Sequence, residues 1–594
     1  MVSVLYVLVH LATDDIVGVL VVVNFLVHVP NLQNMVAYLR GVMHVGVSDS
    51  STTVTNFIGA MCGFALLGGF LSDSYITCST TMLLSVPLVI LGYGLLSLQA
   101  YIPSLHPPSC SNPTPDDPTS SICKQVQGWS AALLYTALYT NALGEGIMRA
   151  CLPALGADQF DGDNPSEASQ QSSFFNWFTL FLSIGSIAGL ILIVWLENTR
   201  GWDIGFGLSA LLLLLGLLVS AAGIPFYRNR VPQGSPLTRI LQVLVVAFKN
   251  RKLVVVPAQN VEQEAQEDSN GSVDEVPRRT NDLKFLDKAC INTGRDDGPW
   301  SACSVAKVNE TKIVLRMVPL LLSCTVAQVP NPLLVAFTVQ QGMTTDTRLG
   351  GVHVYPAMLF VIPSIFQALM LLAYDQLLVP LLRRRTGYSR GVTHLQRVGV
   401  GFLATFVAPA VAAVVESKRK AMAAGAAGGG GRQMSLFWLS PQFFLIGVAD
   451  TTSFVGLLEF FNVEAPRDMK SIGVALFWCQ IGMSSLLGTL LVRLVNAATR
   501  RGGGHGWLEG ADLNSSHLDR FYWVVAAVAF LGWLNFLYQA KRYTYRHDPR
   551  VDANKSSADD DVEDHPILQP INHTMQCLFT RVLNPMMKQK IVLS

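Results

Sequence analysis

The chain has 594 residues, half of them apolar, with 14% charged and a mean hydropathy of +0.38, against about 25% charged in an ordinary soluble protein. Lys plus Arg (42) and Asp plus Glu (41) cancel to a net charge of +1, so nothing draws the chain to nucleic acid and the composition is not that of a disordered protein. The ten cysteines make no disulfide framework in so long a chain; Cys62, Cys151, Cys324 and Cys479 sit in apolar runs, as small hydrophobes do.

A stretch of about 20 apolar residues crosses a bilayer. Such stretches fall at 16–39, 54–73, 82–102, 129–151, 176–196, 204–226, 316–340, 356–380, 398–415, 438–461, 472–492 and 521–540. They predict an all-α membrane protein of twelve transmembrane helices in two bundles of six, at 1–226 and 313–545. The polar stretch 227–312 between them, with an acidic run from Glu262 to Glu275, reads as a flexible cytosolic linker. The tail 546–594, acidic at Asp559–Asp561, reads as disordered. Six plus six around a long central loop is the layout of major-facilitator carriers, whose two halves rock about a midplane site.

Basic residues in short loops set the orientation. Arg383, Arg384, Arg385 and Arg390 lie between spans 8 and 9, and Arg228, Arg230, Arg239, Lys249, Arg251 and Lys252 line the linker. Loops 1–2, 3–4, 5–6 and 7–8 each hold about one basic residue: Arg40, Lys124, Arg200 and Arg348. Loop 9–10, with Lys418, Arg419, Lys420 and Arg432, fits poorly. The balance places both termini and the linker in the cytosol. Within the linker, 236–253 gathers Leu237, Ile240, Leu241, Leu244, Val245 and Phe248 on one helical side with basic residues near its ends; this suits a helix on the inner leaflet or, more plainly, a buried linker helix. Gly425–Gly431 reads as a flexible outside loop. The apolar run Val4–Leu11 lacks a basic leader and reads as a lead-in to span 1.

Several strings go beyond hydropathy. Gly156-Ala157-Asp158-Gln159-Phe160-Asp161 is followed by Ser173-Phe174-Phe175-Asn176-Trp177-Phe178, by Tyr227-Arg228 with Pro232-Gln233-Gly234-Ser235-Pro236-Leu237, and by Leu286-Asp287-Lys288-Ala289. Later come Tyr374-Asp375, Leu395-Gln396-Arg397-Val398-Gly399, Trp438-Leu439-Ser440-Pro441-Gln442 and Glu459-Phe460-Phe461. As a set, over about residues 34–545, they resemble the plant nitrate and peptide transporter family of the proton-dependent oligopeptide transporter superfamily. The resemblance implies a major-facilitator fold, alternating access and uptake usually driven by protons. Its known substrates include nitrate, short peptides, plant hormones and glucosinolates.

Charges inside a membrane are costly and therefore informative. Arg149 stands seven residues before Gly156, where the family has a lysine; it suits a cation that holds an anionic solute in the cavity, or an arginine snorkelling to the inner interface. The family's partner for this cation is Glu-x-x-Glu-Arg on span 1, but the matching positions hold Val21, Asn24 and Phe25, none of which titrates. Glu145, four residues before Arg149, shares its helical face and is the expected replacement. It serves either as a proton-cycling counter-ion or as half of a static pair. On span 10, Asp450 matches the family's cavity glutamate, for substrate binding and coupling or for structural pairing, and Glu459 reads as structural.

Asn331, between Pro330 and Pro332 on span 7, stands where nitrate carriers of the family use a histidine; it contacts the solute, or the prolines make a gating kink. The missing histidine argues against nitrate. Gly69-Phe70-Leu71-Ser72-Asp73 keeps the Gly-x-x-x-Asp core of the facilitator gating motif, with Cys78 in place of its basic residue; Asp73 is expected to act through a helix N-terminus. Cys110 and Cys123 are a possible disulfide pair, and Asn514-Ser515-Ser516 is the external sequon, Asn309 and Asn554 being cytosolic.

No catalytic grouping, metal-spaced cluster or phosphate-cradling loop stands in a consistent context, so neither enzymatic activity nor a cofactor is expected. The expected partners are a small solute, protons and the lipid of a plasma or vacuolar membrane. The leading expectation is a proton-driven carrier of a small organic anion, hormone, nitrate or short peptide. The alternatives are a proton-independent facilitator and a non-transporting sensor or vestigial carrier.

Overall fold

The computed structural model describes residues 2–108, 124–160, 165–228, 236–252, 283–291, 300, 303–349, 352–378, 381, 382, 384, 392–427, 433–465, 470–500, 506–509, 513–543 and 545. Cys110, Cys123, Asn554, the acidic run of the linker, Arg383, Arg385, Arg390, Arg432 and the tail after Tyr545 lie outside these residues. The chain divides into one compact unit of Met1–Gln376 with His394–Tyr543, and a second of Leu377–Thr393 with Thr544–Ser594.

The first unit is built of helices: α1 (Val2–Gly41), α2 (Val47–Ser74), α3 (Cys78–Tyr101), α4 (Gly128–Ala157), α5 (Pro165–Thr199), α6 (Trp202–Gly223), α7 (Pro236–Lys249), α8 (Val305–Gln328), α9 (Pro330–Met343), α10 (Val361–Ala373), α11 (His394–Ala427), α12 (Ser440–Ala449), α13 (Val455–Glu464), α14 (Lys470–Thr499) and α15 (Leu518–Arg542). Among the described residues ten stretches are long and apolar enough to span a membrane. The other two predicted spans are the fourth, α4, and the eighth, within the shorter apolar stretch Pro356–Leu371. Tyr135, Thr136, Tyr139, Asn141, Glu145 and Arg149 make α4 polar for a spanning helix; Asn141 and Glu145 are buried among other helices, while Tyr135, Thr136 and Tyr139 are exposed.

The seventh span is α8 followed by α9, broken at Val329. Pro330 and Pro332 bring no N–H to the ladder, and Pro330 opens α9 where that donor is not needed. The tenth is α12 and α13 joined by a π-helical turn, Asp450–Phe454. Such a bulge widens the helix and re-aims its side chains. A two-residue hairpin, β1 (Arg348–Leu349) with β2 (Val352–His353), links α9 to the next span.

Small residues let the helices approach. A Cβ on Gly189 of α5 would stand 2.0 Å from the Leu26 carbonyl of α1, and one on Gly146 of α4 would stand 2.2 Å from the Met61 carbonyl of α2. Only glycine fits such crossings. Helices of the first six also pack on later ones: α2 on α14, α5 on α10 and α1 on α9. Thr55 Oγ1 and Thr489 Oγ1 share a hydrogen bond of 2.8 Å, Ser183 Oγ donates to Gln367 Oε1 at 3.0 Å, and Arg40 Nη1 donates to Gln340 Oε1 at 3.1 Å.

Three of the signature strings prove to be fasteners. Gln159 accepts from the Arg228 backbone N–H at 3.0 Å and donates to the Leu155 carbonyl at 2.8 Å. Gln442 donates to Thr338 Oγ1 at 3.1 Å and to Gln341 Oε1 at 3.2 Å. Leu286 and Ala289, on the 3-10 turn Lys284–Cys290, bury against Val243, Val246 and Ala247 of α7, and buried Lys312 donates to Asp287 Oδ1 at 2.7 Å. Where the sequence suggested a flexible linker, these two segments are folded. Leu241, Val245 and Phe248 of α7 remain exposed.

Part of loop 9–10 is helical. Lys418, Arg419 and Lys420 are not in a loop but on α11, which runs on to Ala427. Arg419 is fully buried in a two-pronged ion pair with Glu416, Nε to Oε2 at 2.8 Å and Nη2 to Oε1 at 2.7 Å. Lys420 pairs with Asp519 at 3.0 Å.

Candidate functional site

The sequence singled out Glu145 and Arg149, and the fold puts both on the inner face of α4 with other helices around them. Asn24 of α1 donates to Glu145 Oε2 at 3.2 Å. The missing span-1 motif therefore still has a polar side chain facing the partner helix, though a neutral one. Arg149 Nε stands 3.7 Å from Glu145 Oε1. Its guanidinium lies over the Trp478 ring of α14, 4.4 Å from the centroid, and Trp478 Nε1 donates to the Arg149 carbonyl at 3.1 Å.

This contact differs from the pair on α11. Glu416 and Arg419 are joined by two charge-assisted bonds; Gln341 donates to Glu416 Oε2 at 2.9 Å, and Arg419 Nη1 donates to Asn514 Oδ1 at 2.7 Å. That pair is saturated. Arg149 approaches its carboxylate with one nitrogen, beyond hydrogen-bond length, and its Nε has no hydrogen-bond partner among the described residues. Arg149 is 9% exposed against 1% for Arg419. A planar fork of five donors held by stacking rather than by bonds keeps donors for an oxyanion.

The second predicted group also assembles. Asn331, just past the break in span 7, donates through Nδ2 to Asp450 Oδ1 at 3.2 Å. Asp450 is the first residue of the π-helical turn, whose last residue, Phe454, packs edge-on against Phe477 and Trp478 with centroids 5.0 and 5.6 Å apart. An aromatic bridge thus runs from the turn that carries Asp450 to the ring beneath Arg149.

Asp73 accepts the backbone N–H of Ile472 at 3.1 Å. This lies in the first turn of α14, where N–H groups have no partner within the helix. Pro330 and Pro332 make the break between α8 and α9. Glu459 pairs with His394 Nδ1 at 3.5 Å and with Arg397 at 4.0 Å, a bracket between α13 and α11.

Sequence reasoning missed two residues. His28, one turn after Asn24 on α1, is buried with Nδ1 3.3 Å from Glu145 Oε1; its spacing from Asn24 was the available signal. Trp478 offered none, since only tertiary packing lays it on Arg149. No group of three His, Cys, Asp or Glu able to hold a metal stands among the described residues.

Residues 79–508 match the model of the POT family. The chain is 36% identical over 554 residues to Protein NRT1/ PTR FAMILY 4.6 of Arabidopsis thaliana, covering 88% of this chain and 92% of that one. It is likewise 36% identical over 547 residues to Protein NRT1/ PTR FAMILY 4.5 of the same plant, covering 90% and 93%. Among solved structures, an auto-inhibited POT family peptide transporter superposes with a TM-score of 0.63 at 18% identity, over 91% of this chain and 99% of its own. The POT family transporter PepTSo gives 0.61 at 16%, over 90% and 98%.

Proposed function

This chain belongs to the POT family and is a multi-pass membrane transporter rather than an enzyme, and from that premise we propose that it carries a small organic anion, hormone, nitrate or short peptide by proton-driven alternating access, with Arg149 as the cation that holds the solute. The observation that carries this is the unsaturated guanidinium: an arginine stacked on Trp478 and only loosely met by Glu145. A carboxylate or nitrate entering from the cavity takes the free donors and competes with Glu145 for the same charge. Glu145 then cycles its proton as the pair loosens and closes, and Asp450, held by the neutral Asn331, is the second group for coupling and for a basic end of the solute.

Asp73 and the proline break at Pro330 and Pro332 are the gating elements. Asp73 ties the end of α2 to the start of α14 in one state and releases it in the other, while the break lets α9 move against α8. The two six-helix halves, 1–226 and 313–545, are the rocking bodies. Both termini lie in the cytosol of a plasma or vacuolar membrane, as the basic residues of the linker and of the end of α15 favour.

The test is uptake of a panel of labelled solutes in oocytes at about pH 5.5 and about pH 7.5, for the natural chain, Arg149→Gln and Glu145→Gln. Uptake that rises with acidity, is lost in Arg149→Gln and loses its acid response in Glu145→Gln supports the reading. Flux indifferent to pH in all three makes the protein a facilitator, the reading favoured by Val21, Asn24 and Phe25. No flux despite surface expression leaves a sensor.

A further inference from the structure

Nothing in the family pattern gives His28 a role, yet it occupies the best-placed position on α1. Asn24 and His28 are one turn apart and approach the same carboxylate from one side: Asn24 Nδ2 donates to Oε2 at 3.2 Å, and His28 Nδ1 stands 3.3 Å from Oε1 without a hydrogen bond. Both are buried, as is Glu145. Neither ring nitrogen of His28 has a hydrogen-bond partner among the described residues.

We propose that His28 and Glu145 form one shared proton-binding site across α1 and α4, which restores to span 1 the titratable group that Val21, Asn24 and Phe25 do not supply. The neutral ring holds one proton, and its Nδ1 edge lies 3.3 Å from the carboxylate. The cluster then counts one positive charge on Arg149, one negative on Glu145 and none on His28. A further proton enters either on the ring, making an imidazolium beside a carboxylate, or on the carboxylate itself. The two placements are neighbours within one site, and they titrate as a pair.

Either placement raises the cluster's charge by one and leaves Arg149 incompletely balanced. An anion is then held more tightly. By reciprocity, an anion already on Arg149 raises the site's affinity for the proton by the same factor. That mutual preference is what a symporter requires, and it rests on the reading of Arg149 as the solute's cation. The site itself does not need that reading.

The other ionisable groups around the cluster are few among the described residues. Tyr93 of α3 and Cys62 of α2 face it, with Cys479 of α14 beside Cys62; the ordinary values of tyrosine and cysteine lie above physiological pH. Glu197 of α5 meets α1 further along, at Asn34, 2.6 Å away.

The experiment is nitrogen NMR of the full chain in lipid nanodiscs with labelled histidine rings. Among eleven histidines, the His28 signal is the one lost in His28→Gln. From about pH 8 down to about pH 5, the natural chain should pass from a neutral ring to one that holds a proton on both nitrogens for part of the time. In Glu145→Gln the neutral ring should persist over the same range, while Glu145→Asp, which keeps the charge, should restore the change and control for folding. A His28 signal that does not move in the natural chain overturns the proposal, and so does one that moves identically in Glu145→Gln. Because this reads the site without a solute, a chain that titrates as described but transports nothing would defeat the transport reading and leave the shared site standing.

Discussion

The buried clasp between Glu416 and Arg419 gives a sharp test of the packing. Both side chains are at most 1% exposed. Glu416 Oε2 accepts from Arg419 Nε (2.8 Å) and Gln341 Nε2 (2.9 Å), and Oε1 accepts from Arg419 Nη2 (2.7 Å). In Glu416→Gln one of these acceptors becomes an amide donor facing donors, and the guanidinium loses its counter-charge. Breaking such a pair from one side costs about 3–5 kcal/mol. Arg419→Met strands the carboxylate at a similar cost. The double variant Glu416→Met with Arg419→Met leaves no buried charge. It orphans mainly the Gln341 donor, worth about 1–3 kcal/mol. The double should therefore be more stable than either single, far from the sum of the two. Thermal unfolding of the purified chain in detergent, followed by size-exclusion chromatography, reads this; each kcal/mol moves the midpoint by about 2 °C or less in a chain this large. Additive losses, or singles that unfold with the natural chain, would refute the assignment of the clasp as a saturated structural pair.

Other expectations concern the site and the crossings. Asp450→Asn keeps the shape and the Asn331 contact but removes the charge; the acid stimulation of uptake should fall at least about tenfold with surface expression unchanged, and an unaltered pH profile would make Asp450 structural. Asp73→Ala removes the acceptor of the Ile472 N–H, so spin labels at the adjoining ends of α2 and α14 should show a broader distance distribution; an unchanged one would remove Asp73 from the gate. Gly189→Val places a branched side chain where even a Cβ stands 2.0 Å from a carbonyl, and should cost about 1–3 kcal/mol or more, seen as lost yield of monodisperse protein; normal yield would contradict the crossing of α1 and α5.

Local periodicity carries what local periodicity can encode. Spans were legible because about 20 apolar residues have one cheap destination, and Glu145 with Arg149 because a spacing of four on a helix puts two side chains on one face whatever surrounds them. The fourth and eighth spans show the limit. α4 holds Asn141 and Glu145 on a buried face that is otherwise mostly apolar, and the Asn24 side chain that meets Glu145 is found only once α1 is packed against it. The run Lys418, Arg419 and Lys420 misled for the same reason: as a string it is a basic loop, but its meaning depends on Asn514 and Asp519, about a hundred residues away.

The two Glu–Arg pairs carry this further, since their sequence signatures are nearly the same. Glu145 precedes Arg149 by four and Glu416 precedes Arg419 by three, and on a helix either spacing puts the pair on one face. Spacing alone assigns both to one class. The surroundings separate them: Gln341 and Asn514 complete the bonding of the second pair, whereas the first is given a tryptophan face, a histidine and an amide, none of which fills the guanidinium's donors. A saturated pair has nothing to offer a passing anion, because binding would first have to break bonds already made. An unsaturated one exchanges partners at little cost, as a carrier that must both take and release its solute requires. On this ground we propose Arg149 rather than Arg419 as the functional cation, a distinction that rests on unmade hydrogen bonds rather than on residue type.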